Sequence, residues 1–136
     1  MCIDFLPDKP IYQQLIERIT GEIIRGTLKP GEKLLSVRDY AIKAGVNANT
    51  MQRVYKELEQ MEITETKRGQ GSFVTEDIKK IFELRDEMKE QLALSFIQNV
   101  EALGFSTSAM VDFLQKRGGN DDWVKKYNEK VWKTKS

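Results

Sequence analysis

The sequence predicts a mainly α-helical chain that carries one small β-hairpin. Three observations predict it. Apolar residues recur at helical spacing from Ile11 to Ile23, from Met51 to Met61 and from Ile78 to Leu103. Between the second and third of these stretches, two short runs rich in β-branched and aromatic residues flank the glycine-bearing connector Lys67-Arg68-Gly69-Gln70-Gly71. Helix start and stop signals also crowd into residues 26–47, where a pair of short, closely joined elements must fit.

The first helix is expected to open at Pro10, whose fixed φ suits the first helical position. It presents Ile11, Leu15, Ile19 and Ile23 on one face and stops at Gly26. Pro30-Gly31 then favours a type II turn, because glycine takes the positive φ that the third turn position demands. Ser36 and Asp39 form a capping-box pattern that starts a short helix ending near Ala44, with Gly45 as its stop. Asn47 is the N-cap of the next helix, and Val46 is placed to staple onto Met51.

That helix, 47–61, buries Met51, Val54, Tyr55, Leu58 and Met61 and turns Ala48, Asn49, Gln52, Arg53 and Lys56 outward. Residues 63–66 and 72–74 are the two strands of the hairpin. A long helix of about 76–103 follows, with a stripe that includes Ile81, Phe82, Met88, Leu92, Phe96 and Val100 and a stop at Gly104. A further helix is expected from Ser106, carrying Met110, Phe113 and Leu114 as far as Gly118-Gly119. Another is expected from Asn120, where Asp121 and Asp122 suit the helix dipole. Residues 1–75 and 76–136 read as two functional parts.

Composition excludes more than it selects. Hydrophobic residues at 40% and charged residues at 32% suit a folded core. With 22 basic against 21 acidic side chains, bulk charge gives no argument for a polyanionic partner, so any such case rests on local placement. Histidine is absent, which removes the commonest general base and metal ligand. No phosphate-binding loop or paired buried carboxylates stand out, so no catalytic centre is evident and no cofactor is expected. Asp112, Asp121, Asp122 and Glu129 are too dispersed to form a metal loop. The lone Cys2 cannot form an internal disulfide. With neither a signal-peptide pattern nor a membrane-length apolar run, the expected location is the cytoplasm.

A capped short helix, a glycine turn, a second helix with a polar outer face and a glycine hairpin stand in the order of a winged helix-turn-helix, in which the second helix offers side chains to the major groove of DNA. The residues also resemble the GntR-type regulators over 10–75: Gly31-Glu32-Lys33-Leu34, Ser36-Val37-Arg38, Asn49-Thr50, Arg53, Leu58 and Arg68-Gly69-Gln70-Gly71-Ser72-Phe73-Val74. The short part after 75 is similar in length and helical pattern to the tail of the YtrA subfamily. Three positions depart from the family pattern: Leu35 stands where proline is usual, Ala48 where proline or arginine is common, and Glu62 where glycine follows the recognition helix.

The resemblance implies a homodimeric regulator, a repressor by default, bound to double-stranded operator DNA and often controlling transporter genes. Candidate DNA-contacting residues are Ser36, Arg38, Asn47, Asn49, Thr50, Gln52, Arg53, Lys56, Lys67, Arg68, Gly69, Gln70 and Gly71. Thr50 suits phosphate. Arg53 suits the fork of guanine O6 and N7 or a phosphate. Asn49 is open between adenine recognition and plain helix capping. Arg38 is assigned to DNA by resemblance alone.

Ile81, Phe82, Met88, Leu92, Phe96, Val100, Phe113 and Trp123 are the candidate dimer-interface residues; Tyr127 and Trp132 add to an aromatic content that a lone chain would leave exposed. Two competing readings stay open. One is a winged-helix adaptor that binds protein rather than DNA. The other is a helical tail that senses a small hydrophobic effector of unknown identity.

Overall fold

A computed structural model describes residues 3–117 of the chain. Trp123, Tyr127 and Trp132, the helix expected from Asn120 and the acidic residues Asp121, Asp122 and Glu129 lie outside the described residues.

Helix α1, Ile11–Ile24, begins one residue later than expected, with Pro10 as its cap. Leu15, Ile19 and Ile23 are sealed in the core, whereas Ile11 at the helix tip is exposed because the core ends before it. Pro30-Gly31 makes the expected turn: the Glu32 N–H donates to the Lys29 carbonyl at 3.0 Å, with Gly31 at φ 81°. Helix α2, Val37–Ala44, is capped by Ser36, whose Oγ accepts from the Asp39 N–H at 3.0 Å. Helix α3, Ala48–Gln60, is capped by Asn47 and buries Met51, Val54, Tyr55 and Leu58 against α1 and α2.

Helices α2 and α3 end in the same way, for a shared reason. After α2, the Val46 N–H donates to the Ala41 carbonyl and the Gly45 N–H to Ile42, with Gly45 at φ 72°. After α3, the Ile63 N–H donates to Leu58 and the Glu62 N–H to Glu59, so Glu62 occupies the left-handed position at φ 63°. Both are Schellman ends, which satisfy carbonyls left over by the last turn. The fold therefore requires at Glu62 the conformation that glycine would take freely. Ile63 and Leu58, which the motif brings together, are both fully buried.

Strands β1, Thr64–Lys67, and β2, Gly71–Val74, pair antiparallel with Thr64 opposite Val74 and Lys67 opposite Gly71. Lys67 and Gly71 thus belong to the ladder rather than to the loop, and the tip is Arg68-Gly69-Gln70. One pairing was not expected. Residues 31–34 run beside β2, with a bridge between Lys33 and Phe73 and a Leu34 N–H bond to the Ser72 carbonyl at 2.8 Å. This third edge fixes the base of the hairpin.

Helix α4, Ile78–Ala102, and helix α5, Thr107–Arg117, follow the expected course, with Ser106 capping α5 through the Ala109 N–H. Their burial is uneven. Ile81 joins the core, Phe82 and Leu84 pack on it, and Val100 is buried near the turn to α5. Between them Leu92 is 71% exposed and Phe96 38%, and on α5 Phe113 is 54% exposed. Among the described residues no helix is long and apolar enough to cross a membrane.

Candidate nucleic-acid interface

Helix α3 is split along its length by burial. Met51, Val54, Tyr55 and Leu58 fix one side in the core, so Ala48, Asn49, Gln52, Arg53 and Lys56 are left facing solvent, with Thr50 half-buried at the margin. The turn that sets α3 against α2 is held by backbone bonds and by Asn47, whose Oδ1 accepts from the Asn49 N–H at 2.7 Å. Capping is therefore done by Asn47, and the side-chain amide of Asn49 makes no hydrogen bond among the described residues, so it is available to a partner.

A second clamp holds the entry to α2. The Tyr55 hydroxyl donates to the Leu35 carbonyl, and Tyr55 meets Tyr40 edge to face with centroids 6.4 Å apart. Burial raises the pKa of both phenols; at Tyr40 the negative charge of Glu22 adds to it. Arg38, in the first turn of α2, is exposed and has no ion pair among the described residues, its neighbour Asp39 included.

The wing stands beside the start of α2. Lys33, Ser36, Gln70 and Gly71 line an open recess of about 320 Å³ between them, which brings three of the predicted residues together. Thr66 ties the wing to α3 through a hydrogen bond of 3.2 Å to Glu59. At the tip, Arg68, Gly69 and Gln70 are all exposed, and Gly69 at φ 77° has open space where a side chain would be. Lys67 does not extend freely: its ammonium lies over the Phe73 ring, 4.6 Å from the centroid.

Among the exposed cations, Arg38 and Lys43 stand on α2, Arg53 and Lys56 on α3, and Lys67 and Arg68 on the wing. The other end of α3 is acidic: Glu59, Glu62, Glu65 and Asp77 surround Lys80, which pairs with Glu62 at 2.6 Å. A chain of almost zero net charge thereby carries one face fit for a polyanion. Among the described residues no group of side chains could hold a metal ion.

Sequence reasoning missed Tyr12. Its ring lies under the Arg53 guanidinium, 3.7 Å from centroid to central carbon. The available signal was an aromatic residue next to Ile11, the first position of the apolar stripe of α1, and followed by two glutamines.

A two-helix unit with an open polar face on its second helix, backed by a core and flanked by a glycine-tipped hairpin, defines a winged-helix DNA-binding protein. Residues 11–74 match the family described as bacterial regulatory proteins, gntR family. The chain is 40% identical over 108 residues to the HTH-type transcriptional regulator YhcF of Bacillus subtilis, covering 79% of this chain and 89% of that one. It is 35% identical to the HTH-type transcriptional repressor YtrA of the same organism, covering 73% and 81%. A solved GntR family transcriptional regulator from Listeria monocytogenes superposes with a TM-score of 0.77 at 42% identity, covering 82% of this chain and 98% of that one. The chain belongs to the GntR family and is a DNA-binding regulator of transcription, not an enzyme.

Proposed function

We propose that the chain is a repressor that binds an inverted-repeat operator as a homodimer in the cytoplasm. Residues 1–75 are the DNA-binding part, and 76–136 are the helical dimerisation part. One observation carries the reading: the outer face of α3 is polar and exposed and its side chains meet no hydrogen-bond or ion-pair partner among the described residues, while its inner face is locked into the core. Thr50, Arg38 and the wing cations position the protein on phosphates, and Asn49, Gln52 and Arg53 read base edges. Ala48 cannot hydrogen-bond, which shifts base reading onto those three.

The second copy pairs through α4 and α5. Leu92, Phe96 and Phe113 are exposed large apolar side chains that a symmetry mate would cover, and a mate docked there is proposed to set two α3 helices about one DNA turn, ~34 Å, apart. Target genes for transporters are the reading that the family resemblance supports.

A duplex selected by the protein from a random pool tests the proposal. The expected product is a palindromic site bound by two chains, with affinity falling steeply as salt rises because phosphate contacts release counterions. A protein-binding adaptor would select no sequence.

A second reading, effector sensing, is favoured by an open recess of about 420 Å³ between α1 and α4, lined by Ile24, Met88 and Leu92 with Arg25 and Lys89 at its margin. Operator affinity that changes with an added metabolite would support it. An unchanged affinity across a metabolite panel leaves those apolar residues to the dimer.

A further inference from the structure

We infer that Tyr12 is a specificity-positioning residue: its ring holds the Arg53 guanidinium in a preset orientation for reading a guanine edge. The inference rests on the base-reading role proposed for Arg53 and goes beyond it by assigning a residue of another helix.

The geometry separates the two surfaces of the guanidinium. Its central carbon lies 3.7 Å from the centroid of the Tyr12 ring, too close for a guanidinium nitrogen to point at the ring centre, so the group meets the ring with its flat face, and its in-plane N–H donors meet no hydrogen-bond or ion-pair partner among the described residues. Stacking therefore uses the face and leaves the fork free. Tyr12 is half-buried in the first turn of α1 and packs against the core, so the ring is a fixed platform. Arginine otherwise loses much rotational freedom when it docks. A side chain already restrained on a platform loses less of it at the moment of binding.

The restraint has a consequence that a fold-stabilising contact lacks. An arginine that needs only to meet phosphate gains little from orientation, because phosphates accept from many directions. An arginine that must place two donors on O6 and N7 gains a great deal. Removing the platform should therefore weaken binding to the preferred duplex while sparing binding to unrelated duplex.

The test uses the full chain and two probes: the duplex that the wild-type protein selects from a random pool, and a scrambled duplex of equal length and composition. Tyr12→Leu is expected to lose roughly three- to tenfold in affinity for the selected duplex and almost nothing for the scrambled one. Tyr12→Phe, which keeps the ring, should retain wild-type selectivity. In an Arg53→Gln background, Tyr12→Leu should cost nothing further. Equal losses on both duplexes, an undiminished loss in the Arg53→Gln background, or a gain in affinity would overturn the inference.

Arg53→Gln alone tests the underlying assignment: if it weakens both duplexes alike, Arg53 reads no base and the positioning role falls with it. Should Tyr12→Leu fold poorly, the wild-type protein answers by proton NMR. Arg53 Hδ resonances shifted upfield by the ring in both the free and duplex-bound protein support the inference, and unshifted resonances in the bound protein refute it.

Discussion

Among single residues, function follows from what each side chain has left to offer after folding. Asn47 spends its carbonyl oxygen on the Asn49 N–H, so Asn47→Ala should cost about 1 kcal/mol of stability by losing the cap, measurable by chemical denaturation. Arg53 gives the opposite profile. Arg53→Ala should lower affinity for the selected duplex by about 1–3 kcal/mol while leaving the thermal midpoint nearly unmoved; an unchanged affinity would remove Arg53 from the reading face. Glu62 is strained at φ 63°, so Glu62→Gly should raise the thermal midpoint, relieving about 1 kcal/mol of backbone cost in exchange for an exposed ion pair to Lys80. The departure from glycine at this position was legible in the sequence; that the backbone takes the left-handed conformation there is seen only in the fold. Tyr12 was not legible, because its role depends on α1 crossing α3 and no spacing within α1 reveals that.

At the scale of elements, the helices were legible because each carries its own boundary chemistry. Ser36, Gly45, Asn47 and Gly104 sit where the local backbone needs them, and the observed ends fall within a residue or two of those signals. The pairing of residues 31–34 beside β2 was not, since Gly31-Glu32-Lys33-Leu34 is too short to alternate and its partner lies about forty residues onward. The clamp between α2 and α3 has a pH signature. The Tyr55 phenol is buried and its pKa is raised above the ordinary 10.0, so the folded state holds the proton more tightly than the unfolded state does. That contribution is complete below pH 10.0 and is lost as pH rises past it towards the folded-state value. Tyr55→Phe should weaken the fold at neutral pH by about 1 kcal/mol, through loss of the bond to the Leu35 carbonyl, and should flatten the decline in stability at alkaline pH. An unchanged alkaline slope would mean that Tyr55 does not carry it.

At the scale of the whole molecule, an exposed polar face on α3 and exposed apolar side chains on α4 and α5 need two different partners. The apolar stripe of α4 was legible as periodicity, but periodicity does not say what covers a stripe: Ile81 meets this chain's own core while Leu92 and Phe96 do not. If a second copy covers them, the double variant Leu92→Glu, Phe96→Glu should fold with a near-normal circular dichroism spectrum and sediment as a single chain at concentrations where wild type sediments as two. A dimer that persists would place the interface elsewhere. The central claim, that paired α3 helices enter the major groove, is tested most directly by dimethyl sulfate footprinting on the selected duplex. The reagent methylates guanine N7 in the major groove and adenine N3 in the minor groove. The account predicts protection of guanine N7 in two patches centred about one helical turn, roughly 10 base pairs, apart. Full methylation at every N7 under saturating protein, with protection confined to adenine N3, would contradict it.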